Sequence, residues 1–173
     1  MVFTRHLPYP SRQFRTKYLL EEDVMKRVSF VIITALLAMF AQSAMAQKPE
    51  DAIKYRQSVF AVIGWNFGSM AAMAKGKKPY NAEEFARNAE IVAFMSKLPL
   101  EGFTPGSESG DTRAKPDIWL DMDDFKAKLK KMQQEVDALA KVAKTGDFNA
   151  SKEQLGEAGQ ACKACHDKYR EKK

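Results

Sequence analysis

Residues 125–146, FKAKLKKMQQEVDALAKVAKTG, carry the pattern that decides the fold. Apolar side chains recur along this stretch at alternating spacings of four and three residues: Phe125, Leu129, Met132, Val136, Leu139 and Ala143. This spacing places them on one face of a helix, as in the seam of a helix bundle. Gly146 then ends the helix. The stretch predicts one long amphipathic helix that packs against others.

Two segments before this stretch show the same helical periodicity. Pro49 opens the first, is followed by two acidic residues suited to a helix start, and Gly76 ends it. Asn81 is expected to cap the second, while the Glu84 side chain reaches back as in a capping box. Pro99 stops that helix. Both segments therefore predict helices and not strands.

A last segment begins near Ala150 and again has helical spacing. Residues 99–116, by contrast, are rich in glycine, proline, serine and threonine and predict a long loop, which usually has a function. Four helices with one generous connection favour an antiparallel four-helix bundle. We therefore predict an all-α domain over residues 47–173.

Residues 25–46 have the layout of a secretory signal peptide. A short basic start is followed by the almost wholly apolar residues 28–40, and Ala44 and Ala46 suit a cleavage site. The apolar run is shorter than the roughly 20 residues of a membrane-spanning helix, which disfavours the alternative of a retained anchor. We expect cleavage after Ala46, export, and no membrane attachment afterwards.

Residues 1–24 do not suit a signal peptide, because they contain two prolines and the acidic run Glu21-Glu22-Asp23. We interpret them as an upstream extension and expect translation to start at Met25; a genuine extension is the alternative. The whole chain has a net charge of +6, but residues 47–173 hold 22 basic and 19 acidic residues, a net of about +3. Their lysines are spread among acids, so nucleic-acid binding is not expected.

Cys162-Lys163-Ala164-Cys165-His166, near the carboxyl end, has the spacing of covalent haem attachment. Each cysteine would add across a haem vinyl group, and the adjacent histidine would be an axial iron ligand. His166 is the one histidine after residue 46. With Leu155, Ala158 and Tyr169, the motif is predicted to lie on the buried side of the last helix. We expect one covalently attached haem c per chain.

Three other uses of these cysteines are less favoured. A disulfide between Cys162 and Cys165 would close a very short loop within a helix. A thioredoxin-like redox pair belongs beside a βαβ unit, and the sequence has no strand pattern. A zinc site needs four ligands, whereas residues 47–173 offer only three soft ones.

The group at the sixth iron position decides the function. Met is a possible ligand, and the candidates are Met70, Met73, Met95, Met122 and Met132. On the first helix, Arg56 and Phe60 lie four residues apart and share a face. If Arg56 met a haem propionate, Phe60 would lie roughly over the iron, although it could also be a plain core residue. A phenylalanine neither binds iron nor donates a hydrogen bond, which favours five-coordinate iron that binds NO or CO.

These features resemble the cytochromes c′, the class II c-type cytochromes. Three segments carry the resemblance: KPEDAIKYRQS at residues 48–58, GDTR followed by KPDIW at residues 110–119, and CKACHDKYR at residues 162–170. The resemblance covers residues 48–173. It implies a four-helix bundle with the haem motif near its carboxyl end.

The resemblance also implies roles for the matching residues. Cys162 and Cys165 would hold the haem, and His166 would be the proximal iron ligand. Arg56 and Gln57 would lie at the haem edge, near the propionates.

Three more residues receive roles in the same way. Arg113 from the long loop would join the propionate side. Phe60 matches the apolar distal residue, which is Leu in many relatives, and the larger ring puts CO affinity in question. Arg170 would line the proximal side, where NO can end in this family; the alternative is an exposed basic residue that suits a helix end.

Similar proteins are periplasmic bacterial homodimers that pair through their first two helices, and Trp65, Met70 and Met73 would allow such a contact. The resemblance thus implies a periplasmic haem protein that binds NO or CO and exchanges electrons with a redox partner. The alternative is a Met-ligated, six-coordinate electron carrier. No distal acid–base group of a peroxidase is evident, so an enzyme is not expected, and no catalytic residue is assigned.

Overall fold

The computed structural model describes residues 47–172; the predicted signal peptide at 25–46 and the extension at 1–24 lie outside the described residues. The helices are α1 (Pro49–Ala74), α2 (Ala82–Met95), the short α3 (Asp117–Leu120), α4 (Met122–Ala143) and α5 (Phe148–Tyr169), and a 3₁₀ turn spans Pro99–Gly102. No helix within residues 47–172 is both long and apolar enough to cross a bilayer.

The four long helices pack as a bundle. The main contacts join α1 to α2, α2 to α4, and α4 to α5, whereas α1 and α5 touch sparsely. Two ion pairs show the direction of α4 relative to α2. Lys144 pairs with Glu90, and Lys97, just beyond α2, pairs with Asp137. Later residues of one helix thus meet earlier residues of the other, so the two run antiparallel. The predicted all-α four-helix bundle is confirmed.

The apolar interior forms two clusters. The main core runs through the bundle and contains every apolar residue of the α4 stripe except Phe125. The loop-side cluster lies at one end and consists of Phe103, Ile118, Phe125 and Tyr169. Phe60 of α1 packs against both clusters. It therefore lies where the two clusters meet.

The start of α2 confirms one half of the predicted capping box. The Asn81 Oδ1 atom accepts a hydrogen bond from the Glu84 amide at 2.8 Å. The expectation that the Glu84 side chain reaches back to the cap is wrong, since its carboxylate accepts from Lys78 Nζ at 2.5 Å and from Ser69 Oγ at 3.0 Å. A charged donor from the preceding turn forms a stronger hydrogen bond than the backbone amide would.

Arg56 joins α1 to the long loop. Its Nη1 donates to the Gly102 carbonyl at 2.7 Å and to Ser107 Oγ at 2.8 Å. Its Nη2 donates to the Ser107 carbonyl at 2.7 Å and to Thr112 Oγ1 at 3.0 Å. The side chain is only 2% exposed, and this burial lowers the pKa of the guanidinium. A buried charge is tolerated only when its hydrogen bonds are satisfied, as four are here.

Two aromatic rings and a glycine complete this clamp. The guanidinium carbon lies 4.8 Å from the ring centroid of Phe103 and 5.4 Å from that of Trp119, within the range of cation–π attraction. At Gly102, a Cβ atom would lie 2.7 Å from Arg56 Cβ and 2.9 Å from the Ala52 carbonyl oxygen. The loop backbone thus approaches α1 so closely that only glycine fits at this position.

The end of α5 is tied to the same loop and to α4. Lys115 N donates to the Tyr169 carbonyl at 3.0 Å, and Glu171 N donates to the Arg113 carbonyl at 2.8 Å. The Tyr169 hydroxyl donates to Asp124 Oδ2 at 2.6 Å, and Lys168 Nζ lies 2.9 Å from the same oxygen. The haem-motif helix is therefore fixed at its carboxyl end.

The Asp124 contacts predict an acid sensitivity. The hydroxyl of Tyr169 and the ammonium of Lys168 hold the pKa of the Asp124 carboxyl well below its ordinary range. The contacts stabilise the fold above the unfolded-state pKa of about 4, and this contribution is lost as pH falls through the lower folded-state pKa. We expect Asp124→Asn to lower the thermal unfolding midpoint at pH 7. The midpoint of this variant should then decrease less than that of the wild type between pH 7 and pH 3. Unfolding of the haem-loaded protein, followed by circular dichroism at pH 7 and 3, measures both.

Asp123→Asn, at an exposed neighbour on the same turn, is the matched control and should behave as the wild type. An unchanged acid dependence in Asp124→Asn would contradict the assignment.

Candidate haem site

The two cysteines of the motif lie on one side of α5, three residues apart. Both are half-buried and are not bonded to each other. Cys162 packs against the main core, and Cys165 packs against the loop-side cluster. The pair therefore lies where the two clusters meet, as Phe60 does.

The register of α1 against α5 places Phe60 relative to the motif. A Cβ atom on Gly159 would lie 3.6 Å from Phe67 Cζ, so these two positions face each other. The helices run antiparallel, because Tyr80, beyond the end of α1, stacks on Phe148 at the start of α5, with ring centroids 4.4 Å apart. Phe60 lies seven residues before Phe67 on α1, and His166 lies seven residues after Gly159 on α5. Equal rise along both helices puts these two residues at the same level of the bundle.

His166 lies at the edge of the apolar stripe of α5 and not within it. Tyr169, like Leu155 and Ala158, is buried, but His166 is exposed. The prediction that the whole motif faces the interior is therefore wrong for the histidine. It follows Cys165 directly, and consecutive helical residues point about 100° apart. Partial desolvation and then the charge of Arg170 lower the pKa of His166, which favours the neutral imidazole that binds iron.

The thiols are protonated at neutral pH. Burial raises the pKa of Cys162, and burial followed by the nearby Cys162 raises the pKa of Cys165 to about 11. A redox-active pair depends on a lowered pKa of its attacking thiol, so the thioredoxin-like alternative is disfavoured. Within residues 47–172, moreover, no group of three His, Cys, Asp or Glu residues is arranged to hold a metal ion, and the zinc alternative gains no support.

The structure gives the predicted propionate residues other contacts. Four of the five N–H donors of Arg56 are used by the loop. The Gln57 side-chain amide donates to the Asp111 carbonyl at 2.7 Å, and Arg113 Nη2 donates to the Glu171 carbonyl. The proposed contacts of all three with haem propionates stay predictions.

Arg170 differs from its expected setting one helical turn beyond His166. α5 ends at Tyr169, and Arg170 has extended backbone angles, φ −124° and ψ 131°. It forms an antiparallel bridge with Ala114 of the long loop. The side chain is exposed, and it lines one open cleft with Arg113 and His166. The backbone of Arg170 is therefore held both by the loop and by its hydrogen bond to the His166 carbonyl of α5.

Among the candidate methionine ligands, only one packs against the same cluster as Cys165. Met70, Met73 and Met132 are buried in the main core, and Met95 packs against that core. Met122, just inside α4, packs against the loop-side cluster with Cys165.

Sequence reasoning missed Ser107 and Thr112, which accept hydrogen bonds from Arg56, and the rings of Phe103 and Trp119 that flank it. The one available signal was the length of a loop rich in hydroxyl residues. Nothing in that signal identified α1 as the partner.

The residues present fit a c-type haem. Two protonated thiols with the right spacing, a neutral imidazole beside them and an apolar ring at the same level form a suitable donor set. Cys162, Cys165 and His166 would hold the haem, and Phe60 lies at the same level of the bundle.

Comparison with known proteins gives the same family throughout. The sequence profile described as Cytochrome C′ matches residues 51–170. A cytochrome c′ from Rubrivivax gelatinosus is 51% identical over 127 residues, which cover 73% of this chain and 98% of that protein. Its crystal structure matches with a TM-score of 0.69 over 72% of this chain and 98% of its own.

Two further solved structures agree. Cytochrome c prime from Shewanella frigidimarina is 46% identical, with a TM-score of 0.71 over 73% of this chain and 99% of that chain. A nitric oxide complex of a leucine-to-alanine variant of cytochrome c prime from Alcaligenes xylosoxidans is 42% identical, with a TM-score of 0.68 over 74% of this chain and 99% of that chain. The resemblance inferred from the sequence is confirmed, and the chain belongs to the cytochrome c′ family, the haem proteins whose donor set these residues match.

Proposed function

We propose that this protein is a haem c protein with five-coordinate iron that binds NO, accepts CO and exchanges electrons with a redox partner. The observation that carries the proposal is that Phe60 on α1 and His166 on α5 lie at the same level of the bundle. The nitric oxide complex of the Alcaligenes xylosoxidans relative supports NO as the ligand.

Haem, when bound, supplies the iron that takes a diatomic gas. The neutral imidazole of His166 would bind the iron through a ring nitrogen. On the opposite side, the half-buried ring of Phe60 offers neither a ligand atom nor a hydrogen-bond donor. Such a surface excludes water and gives no support to charged ligands, which favours small uncharged gases. An acid–base pair for peroxide chemistry forms no part of the proposal, and no catalytic residue is assigned.

An optical spectrum tests the coordination. The reduced protein should have a high-spin, five-coordinate spectrum and should bind NO. Phe60→Ala should speed CO binding about tenfold, because removing the ring would lower the barrier by about 1.4 kcal/mol. Phe67→Ala, on the same helix two turns away, is the matched control and should leave CO kinetics unchanged. Equal rates in Phe60→Ala and the wild type would contradict the distal placement.

A Met-ligated, six-coordinate electron carrier is the second candidate, and the observation that favours it is that Met122 packs against the same cluster as Cys165. A methionine–iron charge-transfer band in the oxidised protein, lost in Met122→Leu, would replace the first candidate with this one. The absence of that band supports five-coordination.

We further propose covalent attachment of one haem through Cys162 and Cys165. Intact mass spectrometry of denatured wild-type protein should show one haem per chain, because thioethers survive unfolding. Either single Cys→Ser variant should keep covalent haem through its remaining thioether. The double variant should keep none, and haem retained by it after denaturation would contradict the proposal.

Homodimerisation through α1 and α2 is also proposed. These helices expose large apolar side chains: Trp65 is 82% exposed, Phe94 69% and Val62 40%. Exposed apolar groups of this kind mark interaction surfaces, and interfaces are enriched in aromatic residues.

The exposed tryptophan provides the test of this dimer. We expect Trp65→Glu to convert the dimer to a monomer in analytical ultracentrifugation, because a buried unpaired charge opposes association. Leu120→Glu, at an 85% exposed leucine of α3, is the control and should stay dimeric. A dimeric Trp65→Glu variant would contradict the proposed interface.

The signal-peptide pattern of residues 25–46 supports export to the periplasm. Amino-terminal sequencing of the protein from its native source should start at Gln47.

A further inference from the structure

Arg170 is the first residue beyond α5: its amide still donates to the His166 carbonyl at 3.1 Å, but its own backbone is extended. Because Arg170 is extended, helical geometry does not determine where its side chain points. The loop holds the residues on both sides of Arg170. The Lys115 amide donates a hydrogen bond to the Tyr169 carbonyl, and the Glu171 amide donates one to the Arg113 carbonyl. The end of α5 and the loop segment 113–115 therefore together set the position of Arg170 in the cleft beside His166.

Thr112 connects that segment to α1. Its Oγ1 accepts a hydrogen bond from Arg56 Nη2 at 3.0 Å and another from the Ala114 amide at 3.1 Å. Ala114 is the residue that bridges Arg170. A continuous path of contacts thus runs from the buried guanidinium of Arg56 on α1 to the exposed guanidinium of Arg170 beside His166.

We infer that Arg56 and Thr112 are positioning residues that hold Arg170 beside His166 and so tune the haem iron from its histidine side. The inference rests on the proposed haem and gas-binding function. It assigns the long loop a role as the rigid connection between the two sides of the haem, with Thr112 as its central link.

The charges support this assignment. Arg170 and Arg113 of the same loop line one cleft with His166, so two positive charges lie beside the imidazole. Asp167 of α5 lines the same cleft with the opposite charge, and its carboxylate pairs with Lys163. A displacement of Arg170 would therefore change the balance of charge at the iron ligand without altering any residue of the haem motif.

The sharpest variant is Thr112→Val, which keeps the size and branching of the side chain but removes the oxygen that accepts both hydrogen bonds. Arg56→Ala is unsuitable, since it would leave buried carbonyls without partners and could prevent folding. Thr112→Ser retains the hydroxyl and is the matched control. Arg170→Ala and the double variant Thr112→Val/Arg170→Ala complete a double-mutant cycle, which measures the coupling between the two positions.

Amide hydrogen exchange of the haem-loaded protein gives the first measurement. In Thr112→Val, the amides of Lys115 and Glu171 should exchange roughly tenfold faster, the scale expected for the loss of one or two hydrogen bonds. In Thr112→Ser they should exchange as in the wild type. Unchanged exchange in Thr112→Val would overturn the inference.

The haem reduction potential and the NO dissociation rate give the second measurement. Thr112→Val should shift both in the same direction as Arg170→Ala, and it should add nothing in the Arg170→Ala background. Full additivity, or faster exchange with no shift in either quantity, would overturn the inference. If the wild type does not bind NO, the proposed function fails, and the exchange rates and the reduction potential still decide this inference.

Discussion

The buried guanidinium of Arg56 is the constraint on which the end of the bundle with the long loop depends. Removing such a charge from water costs several kcal/mol unless its hydrogen bonds are replaced. Here the replacements are neutral: two carbonyls and two hydroxyls of one loop, with aromatic rings close by. The loop can satisfy this charge in few conformations. An irregular segment without a long helix or a sheet thereby acquires a defined shape.

The arrangement divides the bundle into two parts with different determinants. Away from the motif, apolar stripes pack in the usual manner of helices, and small changes of shape can be absorbed by neighbouring side chains. At the end with the long loop, two sets of contacts hold the loop-side cluster. One is made by Arg56, and the other joins Tyr169 and Lys168 to Asp124. Phe60 lies between the two parts, so its ring position reflects the packing of both.

The contrast between local and distant interactions explains which features could be predicted from the sequence. The α4 stripe and the Asn81 cap are set by residues within a few positions of each other, and both are confirmed. The partners of Arg56 lie 46 to 56 residues away, in a loop with no periodic pattern. The predicted burial of His166 is wrong because an apolar stripe predicts which face of a helix is buried but not where that face ends. The extended backbone of Arg170 depends on a bridge to another segment, and its own neighbours in the chain do not specify it.

The spacing of the two cysteines also has a consequence for how the protein matures. Both lie on one helix, three residues apart, so the proposed thioethers would involve only one short stretch of polypeptide. In the finished bundle both thiols are half-buried. Under the proposed covalent attachment, the thiols would be most accessible before α5 packs against the other helices, so attachment would come before the bundle closes.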